Sequence, residues 1–339
     1  MSSRLNLEDI ARLAGVSRST VSRVINNHPY VRDDTRHKVL QVIRENNFRP
    51  NLAARALVTQ QTRVLSLVIP QAVATTFIDP YFSILIQSIM VRAGQHDYAV
   101  MLWVGDGTEE QGRFCDRILN NSFFDGVLIT TTVDNDPLIP RLVQAGFPFV
   151  VIGPPSREDL NYLDVDNLRG AQMAVAHLLR LGRERIGMIT GPLKLLAARD
   201  RLRAYRLALE RDGRPIDSDL IVEGNYTENS GYQGMKTLLR HQVDAVFAAN
   251  DMMALGAIRA IQESGLRVPD DISVVGFDDL PNASAANPPL TTVRQPVERL
   301  GELAIQALID LCSGILETPY QAVLPVELVV RETCGATHV

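Results

Sequence analysis

Apolar residues at the start of the chain recur with the period of short helices. They return at three- and four-residue steps over residues 7–14 and again over residues 18–26, which predicts two amphipathic helices. Gly15 suits the left-handed end of the first helix, and Ser17 can cap the second. Two short helices joined by a glycine-containing turn form a helix-turn-helix, whose second helix can enter the major groove of DNA. From this spacing alone, a helical hairpin with a solvated polar face remains the alternative.

A third helix and a very short segment follow. The pattern predicts a helix over residues 33–46, with Val39, Val42 and Ile43 facing inward. Residues 51–57 then form a segment that is too short to be a stable helix by itself. We expect this segment to be helical only when something packs on it.

From residue 62 onwards, short and continuously apolar runs alternate with helical segments. The apolar runs are residues 64–69, 98–102, 126–130, 149–152, 185–189, 245–248 and 272–276. Such alternation predicts an α/β fold with parallel sheets covered by helices. Ligands of sheets of this kind bind at the carboxyl ends of the strands.

Polar and aromatic side chains stand just beyond these strand ends. The candidates are Asp79, Phe82, Arg201, Tyr226, Asn250 and Asp278. Carboxylates and amides beside an aromatic face suit a polyhydroxyl ring, because hydroxyls both donate and accept hydrogen bonds and the C–H face of a sugar stacks on aromatic rings. Structural alternatives stay open: Asn250 as a helix cap, Asp278 as the support of a turn, and Arg201 as a surface ion pair.

Length and charge add a second distinction between the two parts of the chain. With 339 residues and 46% hydrophobic residues, the chain suits a small domain followed by a large one with a sizeable core. Residues 1–60 carry ten Lys or Arg against five acids, a charge of +5, although the whole chain carries −5. This asymmetry fits a polyanion-binding head on an acidic body, although plain solvated helices can carry a similar surplus.

Several classes of protein are not expected. The sequence contains no GxSxG, HExxH, P-loop or GxGxxG motif, so we expect neither an enzyme nor a bound cofactor. Its three cysteines are widely spaced without a CxxC, which argues against a disulfide framework or a metal site. No signal peptide or membrane-spanning run is recognisable, which places the protein in the cytoplasm.

The N-terminal residues resemble the head of LacI/GalR family regulators. The resemblance lies in residues 7–26, 31–36 and 48–51, and it continues in the body at residues 162–167, 249–256, 273–279, 289–296 and 324–331. It implies a helix-turn-helix head (1–48), a hinge helix (49–61) and an effector-binding core (62–339) with a fold like that of periplasmic sugar-binding proteins.

The same resemblance divides the core into two lobes. It implies that the chain crosses between them near Asp164, Val293 and Leu324. The N-terminal lobe would then comprise about 62–164 and 293–323, and the C-terminal lobe about 165–292 and 324–339.

The resemblance also assigns roles in DNA binding. Arg18, Ser19 and Arg23 match residues that read bases. Residues matching backbone or minor-groove positions are Ser17, Thr20, Ser22, Asn26, Asn51, Ala54, Arg55 and Leu57. By this resemblance Leu57 is an apolar wedge that opens a base step, the alternative being a leucine that docks the linker on the body. Arg32 departs from the family pattern of a Ser or Thr cap, and we expect Asp33 or Asp34 to cap the third helix instead.

In the core, the resemblance implies a small-molecule effector. Arg201, Asn250 and Asp278 match residues that hydrogen-bond it, and Tyr226 matches an aromatic residue that stacks on it. Asp79 and Phe82 would line the N-terminal lobe's side. Only eight residues follow Arg331, without the leucine-repeat helix of tetrameric family members, so we expect a homodimer.

These observations predict a repressor of carbohydrate uptake or catabolism genes. It would bind a pseudo-palindromic operator as a dimer, under allosteric control by a sugar. Three alternatives stay open at this point: a solute-binding protein without a DNA role, a sugar-processing enzyme that uses the same cleft, and a regulator that answers to a purine or nucleoside.

Overall fold

The chain forms two compact units, Met1–Arg63 and Val64–Val339. The computed structural model describes residues 5–25, 28–48, 61–72, 78–105, 111–120, 123–130, 133 and 136–336. Almost all of the predicted hinge (49–61) lies outside the described residues, and so do Asn26, Asn51, Ala54, Arg55 and Leu57. The predictions made for these positions therefore remain predictions.

The described part of the first unit is helical. Its helices are α1 (Leu7–Ala14), α2 (Arg18–Ile25) and α3 (Asp33–Glu45). Asn6 caps α1, since its side chain accepts hydrogen bonds from the backbone at N2 and N3, and α1 ends at Gly15 with a left-handed φ of 63°. The Ser17 hydroxyl accepts a hydrogen bond from the Thr20 N–H at 3.1 Å and so caps α2. The predicted helix-turn-helix head is confirmed.

These helices pack on one small apolar core. Its buried members are Ile10, Ala11, Ala14, Val21, Val24 and Val39. Ile25, Val42 and Ile43, which the pattern also placed inward, are only partly buried. The residues that fix the crossing of the helices are therefore mostly small or β-branched ones.

The start of α3 differs from the prediction. Arg32 occupies the N-cap position, and no side chain makes a capping hydrogen bond there. The expectation that Asp33 or Asp34 would cap α3 is wrong, because both lie inside its first turn. Their carboxylates lie instead at the positive end of the helix dipole, where negative charge is favourable.

The second unit alternates strands and helices along the chain. Up to its first crossing between sheets it contains β1 (Val64–Ala72), α4 (Pro80–Gln95), β2 (Ala99–Gly105), α5 (Gln111–Leu119), β3 (Gly126–Thr130), α6 (Leu138–Ala145), β4 (Phe149–Ile152) and β5 (Tyr162–Val165). After it come α7 (Asn167–Arg180), β6 (Ile186–Thr190), α8 (Leu196–Arg211), β7 (Ile221–Glu223), α9 (Glu228–Leu238), β8 (Ala245–Ala248), α10 (Asp251–Glu263), β9 (Ser273–Asp278), α11 (Pro281–Ala285), β10 (Thr291–Arg294), α12 (Val297–Cys312), β11 (Gln321–Leu324) and β12 (Glu327–Val329).

The strands form two six-stranded sheets. The first has the order β11-β5-β4-β3-β1-β2 and the second β12-β10-β9-β8-β6-β7. The strand pairs are parallel except β10 with β12, which is antiparallel. Strands such as β3 and β4 are buried along their whole length, as expected when helices cover both faces of a parallel sheet. The α/β fold class with two lobes is confirmed.

Each crossing between the sheets lies just after the position inferred from the sequence. Asp164 and Leu324 still pair within the first sheet, with Val323 and Val165 as their partners. Val293 pairs with Phe277 and Leu328 in the second sheet. The chain therefore crosses one or two residues later, because the last residues of each strand remain in their ladder. The lobe boundary at 293 is too early by two residues.

Candidate functional site

The DNA-binding candidates in the head lie on one helix and its cap. Arg18, Ser19 and Arg23 on α2 are exposed, as is Ser17, while Thr20 and Ser22 are partly buried. The hydroxyl of Ser17 lies 2.7 Å from that of Ser19 and 2.8 Å from that of Thr20. The start of α2 thus presents hydroxyl groups between two exposed arginines, a combination suited to phosphates and guanine edges.

Arg18 is held loosely by an acid of the preceding helix. Its Nη1 lies 3.6 Å from a carboxylate oxygen of Glu8, and both side chains are about two-thirds exposed. Ion pairs of this kind contribute little to stability in water. The guanidinium can therefore exchange this partner for a base or a phosphate at small cost.

In the second unit, all six predicted effector residues line one cleft between the two sheets. The described lining consists of Asp79, Tyr81, Phe82, Ile152, Gly153, Pro154, Asp164, Val165, Asn167, Leu195, Ala197, Arg201, Tyr226, Asn250, Asp278, Gln295 and Leu300. The cleft encloses about 720 Å³, including the part open to solvent.

The first lobe contributes the start of α4. Asp79 caps this helix, since its Oδ1 accepts a hydrogen bond from the Tyr81 N–H at 3.0 Å. Burial raises the pKa of Asp79 to about 6, although the Tyr81 N–H and the charge of Arg201 oppose the rise. Phe82 is buried one turn into the helix, with its ring edge-on to that of Tyr81 at 5.3 Å. This side of the cleft thus offers one carboxyl group and two aromatic rings.

Arg201 lies at the centre of the second lobe's contribution. It is buried on α8, and its Nε donates to Asn167 Oδ1 at 2.9 Å while its Nη1 donates to the Ala249 carbonyl at 2.5 Å. The guanidinium lies 3.7 Å from the ring centre of Phe277. Nη1 is also 3.9 Å from Asp278. The alternative of a surface ion pair is wrong, because this arginine is fixed inside the cleft.

Asp278 ends β9 with a backbone that side chains rarely adopt. Its φ is 126°, and that of Asp279 is 58°. Its Oδ1 accepts a hydrogen bond from Gln295 Nε2, and burial raises its pKa well above the usual range despite the nearby Arg201 charge. Strained conformations of this kind cost roughly 1–3 kcal/mol each and concentrate at ligand sites.

Tyr226 and Asn250 support each other. Tyr226 has a φ of 66°, and its carbonyl accepts a hydrogen bond from Asn250 Nδ2 at 3.0 Å. Asn250 Oδ1 accepts the Met253 N–H at 2.9 Å, so the open alternative of a helix cap is correct for this residue. A Cβ at Gly191 would lie 2.1 Å from Tyr226 Cζ, so only glycine leaves room for this ring. Asn250 acts structurally and also faces the cleft.

Three polar residues of the cleft were not identified from the sequence. They are Asp164, Asn167 and Gln295. Asn167 Nδ2 lies 3.1 Å from Asp164 Oδ1, and burial raises the pKa of Asp164 to about 7. These residues sit where the chain passes between the sheets, in segments that carried the family resemblance. The rule that polar residues follow strand ends would have found them if it had been applied to β5 and β10.

The chemistry of the lining is that of a binding site. It contains three aspartates, an arginine, three amides and three aromatic rings, but no His, Cys, Ser, Thr or Lys among the described residues. Hydrogen-bond donors and acceptors therefore lie around apolar surfaces, as in sites that bind polar small molecules.

Within the described ranges, no three His, Cys, Asp or Glu side chains are grouped so that they could hold a metal ion. No helix in those ranges is both long and apolar enough to span a bilayer.

Comparison with protein families matches both parts of the chain. Residues 6–51 match the model of bacterial regulatory proteins of the lacI family. Residues 175–334 match the model of a periplasmic binding protein-like domain.

Known relatives cover almost the whole chain. The HTH-type transcriptional regulator CelR of Thermobifida fusca is 38% identical over 97% of this chain and 98% of its own length. The ribose operon repressor of Escherichia coli K12 is 36% identical over 89% and 92%, respectively.

Solved structures agree with this result. The complex of the transcriptional regulator CelR with cellobiose is similar with a TM-score of 0.77 at 37% identity, covering 97% of this chain and 100% of the other. The lac repressor dimer bound to operator and the anti-inducer ONPF is similar with a TM-score of 0.87 at 32% identity, covering 98% and 100%. The prediction of a DNA-binding regulator rather than an enzyme is confirmed, and the chain belongs to the lacI family of bacterial transcriptional regulators.

Proposed function

We propose that the protein is a homodimeric repressor of carbohydrate genes that acts in the cytoplasm on chromosomal DNA. A sugar would set its affinity for the operator. The observation that carries this proposal is the convergence of six residues from both lobes on one cleft. Their carboxylate, amide, guanidinium and aromatic groups have the chemistry that binds a sugar.

The DNA side of the proposal rests on α2. Arg18, Ser19 and Arg23 would read bases in the major groove, while Ser17, Thr20 and Ser22 would lie near phosphates. A dimer would place two such helices in successive major grooves of a pseudo-palindromic site. The segment around Leu57, outside the described residues, would fold against its dimer mate in the minor groove.

The effector side rests on the chemistry of the cleft. Arg201, Asn250 and Asp278 provide donors and acceptors, and Tyr226 and Phe82 provide flat apolar faces. A sugar needs both. The similar CelR structure is a complex with cellobiose, which supports a sugar as the effector here.

Control would follow from the position of the cleft between the lobes. An effector that prefers one arrangement of the lobes changes the spacing of the two segments that lead to the heads, and so changes operator affinity. Operator binding must change effector affinity by the same factor, typically about 5–150-fold. An effector that releases DNA is an inducer, and one that tightens binding is a corepressor.

The test combines operator binding with an effector screen. Fluorescence anisotropy on DNA from upstream of the protein's own gene should show specific binding that Arg18→Ala with Arg23→Ala removes. A sugar found by thermal shift should then alter this binding. Arg201→Ala and Asp278→Ala should abolish the response and spare binding without ligand, whereas Arg203→Ala, at an exposed position of α8, should respond normally.

Two results would count against the proposal. Operator binding that survives the double arginine change would refute the role of α2. A response to purines or nucleosides, with none to sugars, would show a regulator of the same family with a different effector.

A further inference from the structure

The cleft carries an excess of acidic groups. Asp79, Asp164 and Asp278 line it, and Arg201 is the one basic side chain in its described lining. Asp200, on the same helix as Arg201, adds negative charge close enough to Asp164 to raise its pKa. The acids come from both lobes and from a crossing, so a ligand meets carboxyl groups on opposite sides.

The guanidinium of Arg201 already has partners within the protein. Its Nε and Nη1 are held by Asn167 and by the Ala249 carbonyl, and Asp278 lies 3.9 Å away. The ring of Phe277 covers one face of the guanidinium. Nη2 has no hydrogen bond within the described structure, so its two N–H groups can donate to a ligand, but the guanidinium already has a counter-charge in Asp278.

The described lining differs from that of an anion site in its acids. Phosphate and carboxylate sites in proteins are usually built from bidentate arginines or helix N-termini without competing acids. The cleft does contain the starts of α4, α8 and α10, but three aspartates and a single, shared arginine lie beside them.

From this composition we infer that the effector carries no phosphate or carboxylate group: the cleft takes an uncharged polyhydroxyl ligand and excludes its anionic derivatives. The inference rests on the proposed function and narrows it. A buried anion would lose its hydration and face three carboxyl groups with one shared arginine. A hydroxyl can instead donate to each carboxyl and accept from Arg201 Nη2. Excluding a wrong ligand through unpaired charge is an efficient source of specificity.

The first experiment compares neutral sugars with anionic derivatives that keep the sugar ring. Calorimetric titration of the whole protein would use glucose with glucuronate and glucose 6-phosphate, ribose with ribose 5-phosphate, and cellobiose with its 6-phosphate. For any pair with measurable binding, we expect the anionic member to bind at least 100-fold more weakly. An anionic member that binds as well as its neutral partner would overturn the inference.

The second experiment can be done before the effector is identified. Inorganic phosphate is titrated against the wild type, Arg201→Ala and the control Arg203→Ala, with the ³¹P linewidth and the melting temperature as readouts. We expect all three proteins to respond alike. Broadening or stabilisation that depends on Arg201 would show an anion site in the cleft and refute the inference. If Arg201→Ala fails to fold, Arg18→Ala with Arg23→Ala removes the phosphate-binding candidates of the head, and the response that remains is assigned to the second unit.

The third experiment removes two of the three acids at pH 8, above the folded pKa values of about 6 for Asp79 and about 7 for Asp164. Asp79→Asn with Asp164→Asn keeps the side-chain shape and takes away two carboxylate charges. One acid then faces one arginine, and the affinity for phosphate or for the anionic sugars should rise at least tenfold. If this variant still binds anions as weakly as the wild type, charge is not the cause of their exclusion.

The outcomes distinguish the inference about ligand charge from the proposed function as a regulator. If neither neutral sugars nor anions bind, the sugar assignment and the inference drawn from it both fail, while operator binding through α2 still tests the regulator function. If an anionic sugar binds through Arg201 and releases the operator, the exclusion fails while the regulator function stands.

Discussion

Asp278 and Asp279 are consecutive residues whose carboxyl groups serve different parts of the molecule. Asp278 faces the cleft, near Arg201 and Gln295. Asp279 Oδ2 binds Arg294 at 2.7 Å and its Oδ1 binds Arg331 at 2.6 Å. Arg294 ends β10, just before the chain crosses to the first lobe. The two adjacent aspartates therefore connect the cleft with an ion-pair cluster beside a crossing.

Asp279→Asn should therefore lower both the free energy of unfolding and the response of operator binding to the effector. Asparagine tolerates the left-handed backbone, so the change removes charge without new strain. We expect a loss of about 2–3 kcal/mol in the free energy of unfolding, because two arginines lose a buried partner. Denaturant titration measures this loss. Asp212→Asn is the control, since its pair with Arg214 is more exposed and should cost less than about 1 kcal/mol.

The same variant should change the coupling between effector and operator. The ratio of operator affinities with and without effector should fall, while effector affinity in the absence of DNA changes less. An Asp279→Asn protein with full stability and an unchanged ratio would show that this ion-pair cluster contributes neither to stability nor to the coupling.

Gly191→Ala tests whether effector binding depends on the position of the Tyr226 ring. The added Cβ would lie 2.1 Å from Tyr226 Cζ, so the ring must leave its position. We expect effector affinity to fall by about tenfold or more, which corresponds to about 1.4 kcal/mol, with operator binding in the absence of ligand preserved. Gly94→Ala is the matched control, because its Cβ would meet nothing within 4 Å and alanine favours the helix. Equal effector affinity in both variants would remove Tyr226 from the site.

The sequence predicted the elements well where local rules decide them. The helix ends at Gly15 and the cap at Ser17 follow from backbone conformation and hydrogen bonding within a few residues. The cap of α3 was predicted wrongly, because Asp33 can serve either as a cap or as a first-turn residue and only tertiary packing selects between them.

The cleft was predicted less completely, for a different reason. Residues after strands that run into a helix, such as Asn250, are visible as polar positions at strand ends. Asn167 and Gln295 lie on crossing segments, and their position depends on which sheet the neighbouring strand joins. That pairing is a long-range property, and so are the positive φ values that aim Asp278 into the cleft.

Stability should fall as the pH rises from about 4 to 7. Burial raises the pKa of Asp79 to about 6 and those of Asp164 and Asp251 to about 7, above the value of 3.8 expected in the unfolded chain. In this window the folded state holds more protons than the unfolded state, so their contribution is complete below pH 4 and is lost through the folded pKa values. Each such group changes the free energy of unfolding by at most about 1.4 kcal/mol per pH unit.

Urea unfolding at pH 5, 6, 7 and 8 measures this slope. His177, whose pKa burial lowers, acts in the opposite direction near pH 6, so the comparison should be made between the wild type and Asp79→Asn with Asp164→Asn. The variant should lose less stability between pH 5 and 7. Parallel pH profiles of the two proteins would mean that these carboxyl groups are ionised in the folded state.

Removal of the Glu8 carboxylate should strengthen operator binding through Arg18. The pair at 3.6 Å competes with DNA for the guanidinium, and the acid also repels phosphates. Glu8→Gln should raise operator affinity about twofold to fivefold at low salt, and the gain should shrink as salt screens both effects. Anisotropy titrations in the wild-type and Arg18→Ala backgrounds form a double-mutant cycle. A clearly smaller gain without Arg18 supports the competition, whereas equal gains would reduce the role of Glu8 to general repulsion.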